Sequence, residues 1–263
     1  MRNAVVLCAG LLTLMLPSMA MAQAQAPAPA QGQGQSNAWM PAGGRIFLAI
    51  NGLYQPGEET IEQTASYSVY DETANASATQ TVKNGGGMFD IGGGYRTNRY
   101  GIGISYTQFK SNNSASVSAS IPHPIFFDRP RTTSSTVDGL EHTEHVVHVQ
   151  AYYFVPVARK MDVGVFIGPS FFSVTQDFVS GLNSFTESSN FETVSISTGA
   201  APVKDSPVGF NIGGELTYTI TPNIAGAFLL RFSRANADFE FEGAKTSMNV
   251  GNVQVGAGVS LRF

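Results

Sequence analysis

The chain has one cysteine, few charged residues and, after its N-terminal segment, no long apolar run. The single cysteine is Cys8, so the remainder of the 263 residues can form neither a disulfide nor a cysteine-ligated metal site. Charged residues make up 13%, about half of the roughly 25% usual in soluble domains. No apolar run approaches the roughly 20 residues of a membrane helix. The net charge of −4 gives no indication of a nucleic-acid partner.

Residues 1–22 have the pattern of a secretory signal peptide. Arg2 precedes an apolar stretch from 4 to 16, and residues 20–22 form a small-x-small cleavage site. We therefore expect export across a bacterial inner membrane. Cleavage before Cys8, as in a lipoprotein, is disfavoured because it would follow too short an apolar stretch.

Residues 23–43 are dominated by Ala, Gln, Pro and Gly. They contain too little apolar surface to offset the entropy of ordering, so we expect a disordered leader followed by one domain at 44–263. Trp39, the only tryptophan, is either an anchor at the inner membrane interface or a chance aromatic.

The last twelve residues, 252–263, alternate strictly between apolar and polar or glycine positions. The apolar positions are Val253, Val255, Ala257, Val259, Leu261 and Phe263. This alternation predicts a strand with one apolar face. A terminal Phe263 would fit the aromatic girdle of a bilayer barrel while its carboxylate stays in water.

In this segment the chain resembles the bacterial outer-membrane β-barrel family, whose last strand ends in Phe after alternating hydrophobic residues. The matching residues are Val259, Leu261 and Phe263. The resemblance, to small OmpA/OmpX-like eight-stranded barrels, implies that they are an assembly signal and that the chain resides in the bacterial outer membrane. It also implies periplasmic chaperones, the barrel-assembly machinery, outer-membrane lipid and lipopolysaccharide as partners.

Seven further alternating segments precede the last one. They are predicted at 45–54, 88–96, 100–109, 145–155, 161–174, 208–220 and 224–234. The connections after the second, fourth and sixth are short, whereas those after the other segments are much longer. This asymmetry predicts an all-β protein: an eight-stranded antiparallel up-and-down transmembrane β-barrel with short periplasmic turns and long extracellular loops. A soluble barrel is disfavoured because its outward rows of large apolar side chains would face water.

Seven polar residues fall at inward positions of the predicted strands and form a candidate interior network. They are Asp90, Arg96, Gln150, Glu215, Arg231, Gln254 and Arg262. Counting across the turn at Pro222 places Arg231 diagonally next to Glu215, within reach of an ion pair. A structural network is the favoured interpretation, and a gated channel is the alternative. Five inward rings, expected to plug an eight-stranded lumen, argue against an open pore: Phe47, Tyr152, Phe154, Phe166 and Phe172.

The sequence predicts no catalytic, cofactor or metal site. His142, His145 and His148, with Glu144 among them, lie where a loop becomes a strand. On a strand only His142 and His148 share a face, about 20 Å apart, which is too far for one metal ion. A helical turn would be needed to bring neighbouring members together. The glycine groups at 85–87 and 92–94 precede neither a helix nor a Lys-Ser/Thr pair, so we interpret them as strand glycines.

The loop predicted at 110–143 contains an apolar, proline-stiffened tip at 121–127. This tip either contacts a partner or folds over the mouth of its own barrel. The other loops are rich in Ser, Thr and Asn, which solvation explains.

These features favour a closed barrel that serves as a membrane anchor or envelope component, with surface loops that contact a ligand or partner. A narrow porin-like channel for ions or small solutes is the alternative. A lipid-modifying outer-membrane enzyme is the least favoured hypothesis, and we expect that the protein is not an enzyme.

Overall fold

The computed structural model describes residues 45–241 and 244–263. The strands are β1 (Arg45–Gln55), β2 (Glu59–Val69), β3 (Glu72–Val82), β4 (Gly86–Thr97), β5 (Tyr100–Ile121), β6 (Arg131–Ala158), β7 (Met161–Glu187), β8 (Val194–Asp205), β9 (Val208–Thr221), β10 (Ile224–Phe241), β11 (Ala244–Val250) and β12 (Val253–Arg262). Among the described residues, no helix is long and apolar enough to cross a membrane. The predicted signal peptide, leader and Trp39 lie outside this part of the chain.

Eight strands close into an antiparallel ring in the order β1-β4-β5-β6-β7-β9-β10-β12. The last strand returns to the first, with a register that runs from Phe47 opposite Arg262 to Tyr54 opposite Val255. Closure pairs the backbone groups of every strand in the ring, which is what a bilayer without water demands. The predicted eight-stranded fold is therefore confirmed.

Three short turns join these strands at one end of the ring, at 98–99, 159–160 and 222–223. Asn98 has a φ of 44°, in the left-handed region that asparagine tolerates better than most residues. The short connections predicted from the sequence are confirmed.

Large apolar side chains cover the outside of the ring at this end. They include Ile46, Leu48, Ile50, Phe89, Ile91, Ile102, Ile104, Val165, Ile167, Phe210, Ile212, Phe228, Leu230, Val259 and Leu261. Exposed aromatic residues border this belt near the turns, among them Tyr95, Tyr100, Tyr218 and Phe263. A monomer in water does not normally expose so large an apolar surface, whereas a bilayer requires it.

At the other end of the ring, most residues of the connections form strands. The prediction that these connections are long loops is therefore wrong. β5 continues to Ile121 and β6 begins at Arg131, while β2–β3, β7–β8 and β10–β11 form hairpins. The predicted strand boundaries at 109, 145, 174 and 234 mark where the outward-facing side chains cease to be apolar. Backbone pairing continues beyond them with polar outward side chains.

Apolar clusters fill much of the interior of this extracellular half, beside the buried polar side chains of Gln80, His142, Glu144 and Gln176. Its main cluster contains Ile61, Val82, Val146, Phe172, Val174, Phe178, Phe239, Met248 and Val250. Smaller clusters form around Leu140 and Val179, and around Ile121 and Val194. The barrel therefore continues beyond the belt as a packed β-structure.

Candidate functional site

A buried polar cluster around Arg231 fills the middle of the ring. The Arg231 guanidinium donates to Asp90 Oδ2 at 3.1 Å and to Thr107 Oγ1 at 2.7 Å. It also donates to Gln254 Oε1 at 2.6 Å. The Asp90 carboxylate accepts further hydrogen bonds from Asn51 Nδ2 and Thr107 Oγ1, each at 2.8 Å. Buried charges need partners of this kind, and here the partners link β10 to β4 and β5 on the far side of the lumen.

The predicted ion pair between Glu215 and Arg231 is not formed. The predicted register of the two strands is correct, because Glu215 lies opposite Leu229. Arg231 lies opposite Gly213 and extends across the lumen to Asp90. Among the described residues no donor hydrogen-bonds to Glu215. Strand alternation relates neighbours along one wall only, whereas the lumen is narrow enough for the Arg231 side chain to reach the opposite wall.

A second charged cluster lies at the turn end. Asp162 Oδ2 lies 3.1 Å from Arg96 Nη1 and 3.9 Å from Arg262 Nη1. The Arg96 guanidinium also lies 4.1 Å from the centroid of the Phe154 ring, a cation–π geometry. Arg262 donates to Thr217 Oγ1 at 3.0 Å. Asp162 thus brings together two arginines that were predicted to lie inside.

The two glutamines of the predicted network join different strands. Gln150 Nε2 donates to Asn211 Oδ1 at 3.2 Å, and Gln150 Oε1 accepts from the Tyr152 hydroxyl at 2.6 Å. Gln254 Nε2 donates to Gln55 Oε1 at 2.9 Å. Six of the seven predicted residues therefore lie in hydrogen-bonded clusters, and Glu215 is the exception.

Aromatic rings fill the lumen beside these clusters. The Tyr152 ring centroid lies 5.9 Å from that of Phe47, 5.4 Å from that of Phe154 and 5.2 Å from that of Phe166. A cavity of about 20 Å³ remains between the rings and the Arg231 cluster, which is room for about one water molecule. The prediction that inward rings fill the lumen here is confirmed for Phe47, Tyr152, Phe154 and Phe166. The fifth predicted ring, Phe172, is buried in the main cluster of the extracellular half.

The three histidines lie as strand alternation predicts. His142 and His148 point inward and are fully buried, whereas His145 lies on the outer face. His142 Nε2 lies 2.9 Å from Glu144 Oε1, and Nδ1 lies 2.7 Å from Gln176 Oε1. In the described part of the chain, no group of three His, Cys, Asp or Glu side chains could hold a metal ion.

The turn between β5 and β6 presents an apolar tip to solvent. Ile125, Phe126 and Phe127 are 66%, 50% and 84% exposed, whereas Ile121 and His123 are buried. His123 Nδ1 accepts the backbone N–H groups of Ile125 and Phe126 at 3.1 and 3.2 Å. Ile121 and His123 thus pack inward while residues 125–127 remain exposed, and contact of these exposed residues with a partner stays a prediction.

Arg131 connects the tips of three hairpins, the third of them through Glu187. Its guanidinium donates to the backbone carbonyls of Pro122 at 2.7 Å and Phe191 at 2.8 Å, and to the Glu187 carboxylate. The other Glu187 oxygen accepts from the Tyr70 hydroxyl at 3.0 Å. We call the joined tips, residues 70–72, 122–131 and 187–193, the apex.

The apex holds several residues in the left-handed backbone region. Tyr70, Asp128 and Phe191 have φ angles of 54°, 56° and 58°. This conformation costs bulky residues on the order of 1 kcal/mol each and persists only where surrounding contacts enforce it. The hydrogen bonds around Arg131 supply such contacts, so the apex is pre-organised.

Several residues of these clusters were missed in the sequence. Asn51, Asp162 and Asn211 lie at inward positions of predicted strands, so the alternation of inward and outward positions is a signal that could have found them. Arg131 lies in a segment predicted to be a loop, where alternation was not applied. No local signal indicated its role.

The closed ring, the apolar belt and the short turns at one end define a transmembrane β-barrel of the bacterial outer-membrane kind. The predicted outer-membrane localisation agrees with this architecture. Val259, Leu261 and Phe263 lie on the outer face, 49%, 41% and 66% exposed. Their role as an assembly signal remains a prediction.

No protein-family model matches the sequence, and no curated protein matches it. Among solved structures, Neisserial surface protein A (NspA) is 13% identical with a TM-score of 0.44, over 83% of this chain and 97% of that chain. The outer membrane protein OprG from Pseudomonas aeruginosa is 10% identical with a TM-score of 0.45, over 84% and 96%. The E. coli outer membrane protein W is 13% identical with a TM-score of 0.32, over 85% and 100%. Similarities this low do not indicate a function for this chain.

Proposed function

We propose that this protein is a closed outer-membrane barrel that anchors a rigid extracellular β-structure and binds a surface partner through its apex. The observation that carries the proposal is the contrast between a filled lumen, with a residual cavity of about 20 Å³, and the exposed apolar side chains of Ile125, Phe126 and Phe127. A filled lumen favours anchoring over transport. Exposed apolar groups on a pre-organised tip favour contact with another molecule.

The chemistry of the tip favours a protein partner with an apolar recess. The Arg129 guanidinium lies 5.3 Å from the centroid of the Phe126 ring and forms an ion pair with Glu192 at 3.4 Å. Aromatic residues, including Phe, and arginine are enriched in protein interfaces relative to the rest of the surface. The same tip offers no basic cluster of the kind that nucleic acid would require.

The closed lumen is tested by conductance of the folded chain in a planar lipid bilayer. We expect no stepwise current from the native chain, because rings and the Arg231 cluster fill the lumen. We expect current when Tyr152→Ala and Phe166→Ala together remove two of these rings. The interior charges favour the alternative, a narrow channel. Steady current through the native chain, altered by Glu215→Gln, would establish the channel and contradict the proposal.

The apex is tested by photo-crosslinking on intact cells that display the protein. A benzophenone amino acid replaces Phe127, and a matched control places it at Ser134, which is exposed on β6. We expect an adduct of one defined mass from position 127 only, and its loss when Ile125→Ser and Phe126→Ser are added. Equal labelling from both positions, or no adduct from position 127, would contradict the proposed role of the apex.

A further inference from the structure

A second feature of the extracellular half is a cavity of about 260 Å³. Residues 62–65 of β2 border it on one side, Thr198 of β8 borders it on another, and Phe241 and Lys245 border it near the β10–β11 hairpin. Its volume is close to the lower end of the roughly 300–1,000 Å³ of ordinary ligand sites. None of these residues belongs to the apex or to the Arg231 cluster.

Two strands beside this cavity have a single strand neighbour each. Among the described residues, β2 pairs only with β3, and β8 pairs only with β7. Residues 62–65 of β2 line the cavity together with Phe241 and Lys245 of the β10–β11 hairpin. That hairpin does not pair with β2, so the edge of β2 that faces away from β3 borders the cavity. Such an edge carries N–H and C=O groups without strand partners.

The cavity walls combine small apolar side chains with a buried acceptor that has no partner. Ala65, Ala76 and Ala78 leave space where larger residues would fill the interior. Gln63 Oε1 is buried and has no hydrogen-bond partner in the described part of the chain. A ligand that supplies N–H donors along the edge and small apolar groups between them would satisfy both features.

Contacts tie down both ends of β2, the strand that lines the cavity. After its C-terminal end, Tyr70 joins β2–β3 to β7–β8 through Glu187 and through a ring contact with Phe185, with centroids 6.4 Å apart. Before its N-terminal end, the Pro56 carbonyl accepts a hydrogen bond from Asn252 Nδ2 at 2.8 Å. The pairing of β7 with β8 shifts register between 180 and 184, beside the cavity, and such irregularities are common near functional sites.

We propose that this cavity binds a short extended peptide segment, which adds as a strand to β2 at residues 62–65 and places small apolar side chains among Ala65, Ala76 and Ala78. Backbone hydrogen bonds to the strand edge supply affinity, and the alanine walls restrict the inward side chains of the peptide to small ones such as Ala and Val. The site is separate from the apex, so its test stands independently of the proposed surface role.

The probe is a pool of random synthetic hexapeptides incubated with the full chain in lipid nanodiscs. Retained peptides are identified by mass spectrometry, and the most enriched one is resynthesised with a fluorophore for anisotropy titration. We expect N-methylation of its alternate amides to weaken binding by about tenfold or more, because the hydrogen bonds to β2 are lost. Hydrogen exchange at residues 62–65 should slow when the unmethylated peptide binds.

Two variants with matched positions on β2 locate the site. Ala65→Phe fills the cavity and should weaken binding by about tenfold or more, whereas Ser68→Phe, exposed on the outer face of the same strand, should change it by less than about twofold. Heat-modifiable migration in gels reports whether each variant is folded. Failure of the native chain to enrich any peptide would overturn the proposal. Binding that N-methylation leaves unchanged would also overturn it, with no need for a variant.

Discussion

The membrane half and the extracellular half of the barrel use the same strands with opposite chemistry. On β5, the outward residues near the turns are Ile102, Ile104 and Tyr106, and those farther along are Ser114, Ser116 and Ser118. The inward residues change in the reverse sense, from Ser105 and Thr107 to Val117, Ala119 and Ile121. The alternation of faces continues through all 22 residues of the strand. The chemistry of each face therefore changes along the strand while its backbone geometry does not, as expected for a barrel that passes from lipid into water.

The two halves therefore fill their interiors by different means. In the membrane half, lipid covers the outward apolar side chains, and the interior holds rings and paired charges such as Arg231 and Asp90. In the extracellular half, water covers the outward polar side chains, and burial of residues such as Phe178 and Phe239 stabilises the interior. Stability should thus depend more on hydrogen-bonded partners in the membrane half and more on buried apolar volume in the extracellular half. The hydrogen bonds of His142 to Gln176 and Glu144 are a polar contribution to the extracellular interior.

The largest effect should follow from removing the central charge of the membrane half. Arg231→Met leaves the Asp90 carboxylate buried without its ion-pair partner, which should lower the free energy of unfolding by about 3–5 kcal/mol. Urea unfolding of the barrel in liposomes measures this loss. The double variant with Asp90→Asn removes both charges and should recover most of it. A single variant that loses less than about 1 kcal/mol would show that Asp90 does not depend on this partner.

The boundary between the halves can be tested on the outer face of one strand. Ile104→Arg places a charge against lipid and should cost about 2–4 kcal/mol. Ser116→Arg makes the same change twelve residues farther along, on the same outward face of β5, and should stay within about 0.5 kcal/mol because water solvates the charge. The same liposome assay compares the two variants. Equal costs would contradict the assigned boundary.

The contrast between the halves also explains what could be predicted from the sequence. In the membrane half, large outward residues such as Ile102 and Ile104 stand out against glycine and polar residues, so strand positions, turns and register were predicted correctly. In the extracellular half, the sequence from 114 to 121 alternates Ser with Ala, Val and Ile. Small residues give weak contrast, so this strand was predicted to be a loop.

The interior contacts were only partly predictable. Alternation shows which side chains enter the lumen, as it did for Arg231 and Gln254, but it does not show which ones meet across it. Arg231 selects Asp90 on the opposite wall instead of Glu215 on the adjacent strand. That choice depends on lumen width and on the several acceptors around Asp90. Neither can be counted along the sequence.

A smaller effect should follow from loosening the apex. Arg131→Met removes the donors to Pro122, Phe191 and Glu187, and hydrogen bonds from a charged group contribute about 1.5–3 kcal/mol. We expect faster hydrogen exchange at 122–131 and 187–193, with the membrane half unchanged. Arg129→Met is the matched control, because its exposed ion pair with Glu192 should contribute less than about 1 kcal/mol. Equal exchange in both variants would contradict the role of Arg131.

The smallest effect should follow from Tyr70→Phe, which removes the hydrogen bond from the Tyr70 hydroxyl to Glu187. The expected loss is about 0.5–1.5 kcal/mol, near the lower end because Tyr70 is 45% exposed. Desolvation by burial, together with the bond to Glu187, raises the pKa of Tyr70 above its ordinary value of 10.0. The protonated hydroxyl is therefore favoured in the folded state, so its contribution is complete below pH 10.0 and is lost as the pH rises through the higher folded value.

Proteolysis at the apex across this alkaline range measures that loss. The native chain should become more susceptible at 187–193 as the pH rises above the ordinary tyrosine value, whereas the Tyr70→Phe variant should show a higher susceptibility that does not change with pH. The comparison isolates one hydroxyl, since both proteins carry the same Arg131 and Glu187. Parallel pH profiles in the two proteins would mean that another group controls the opening of the apex.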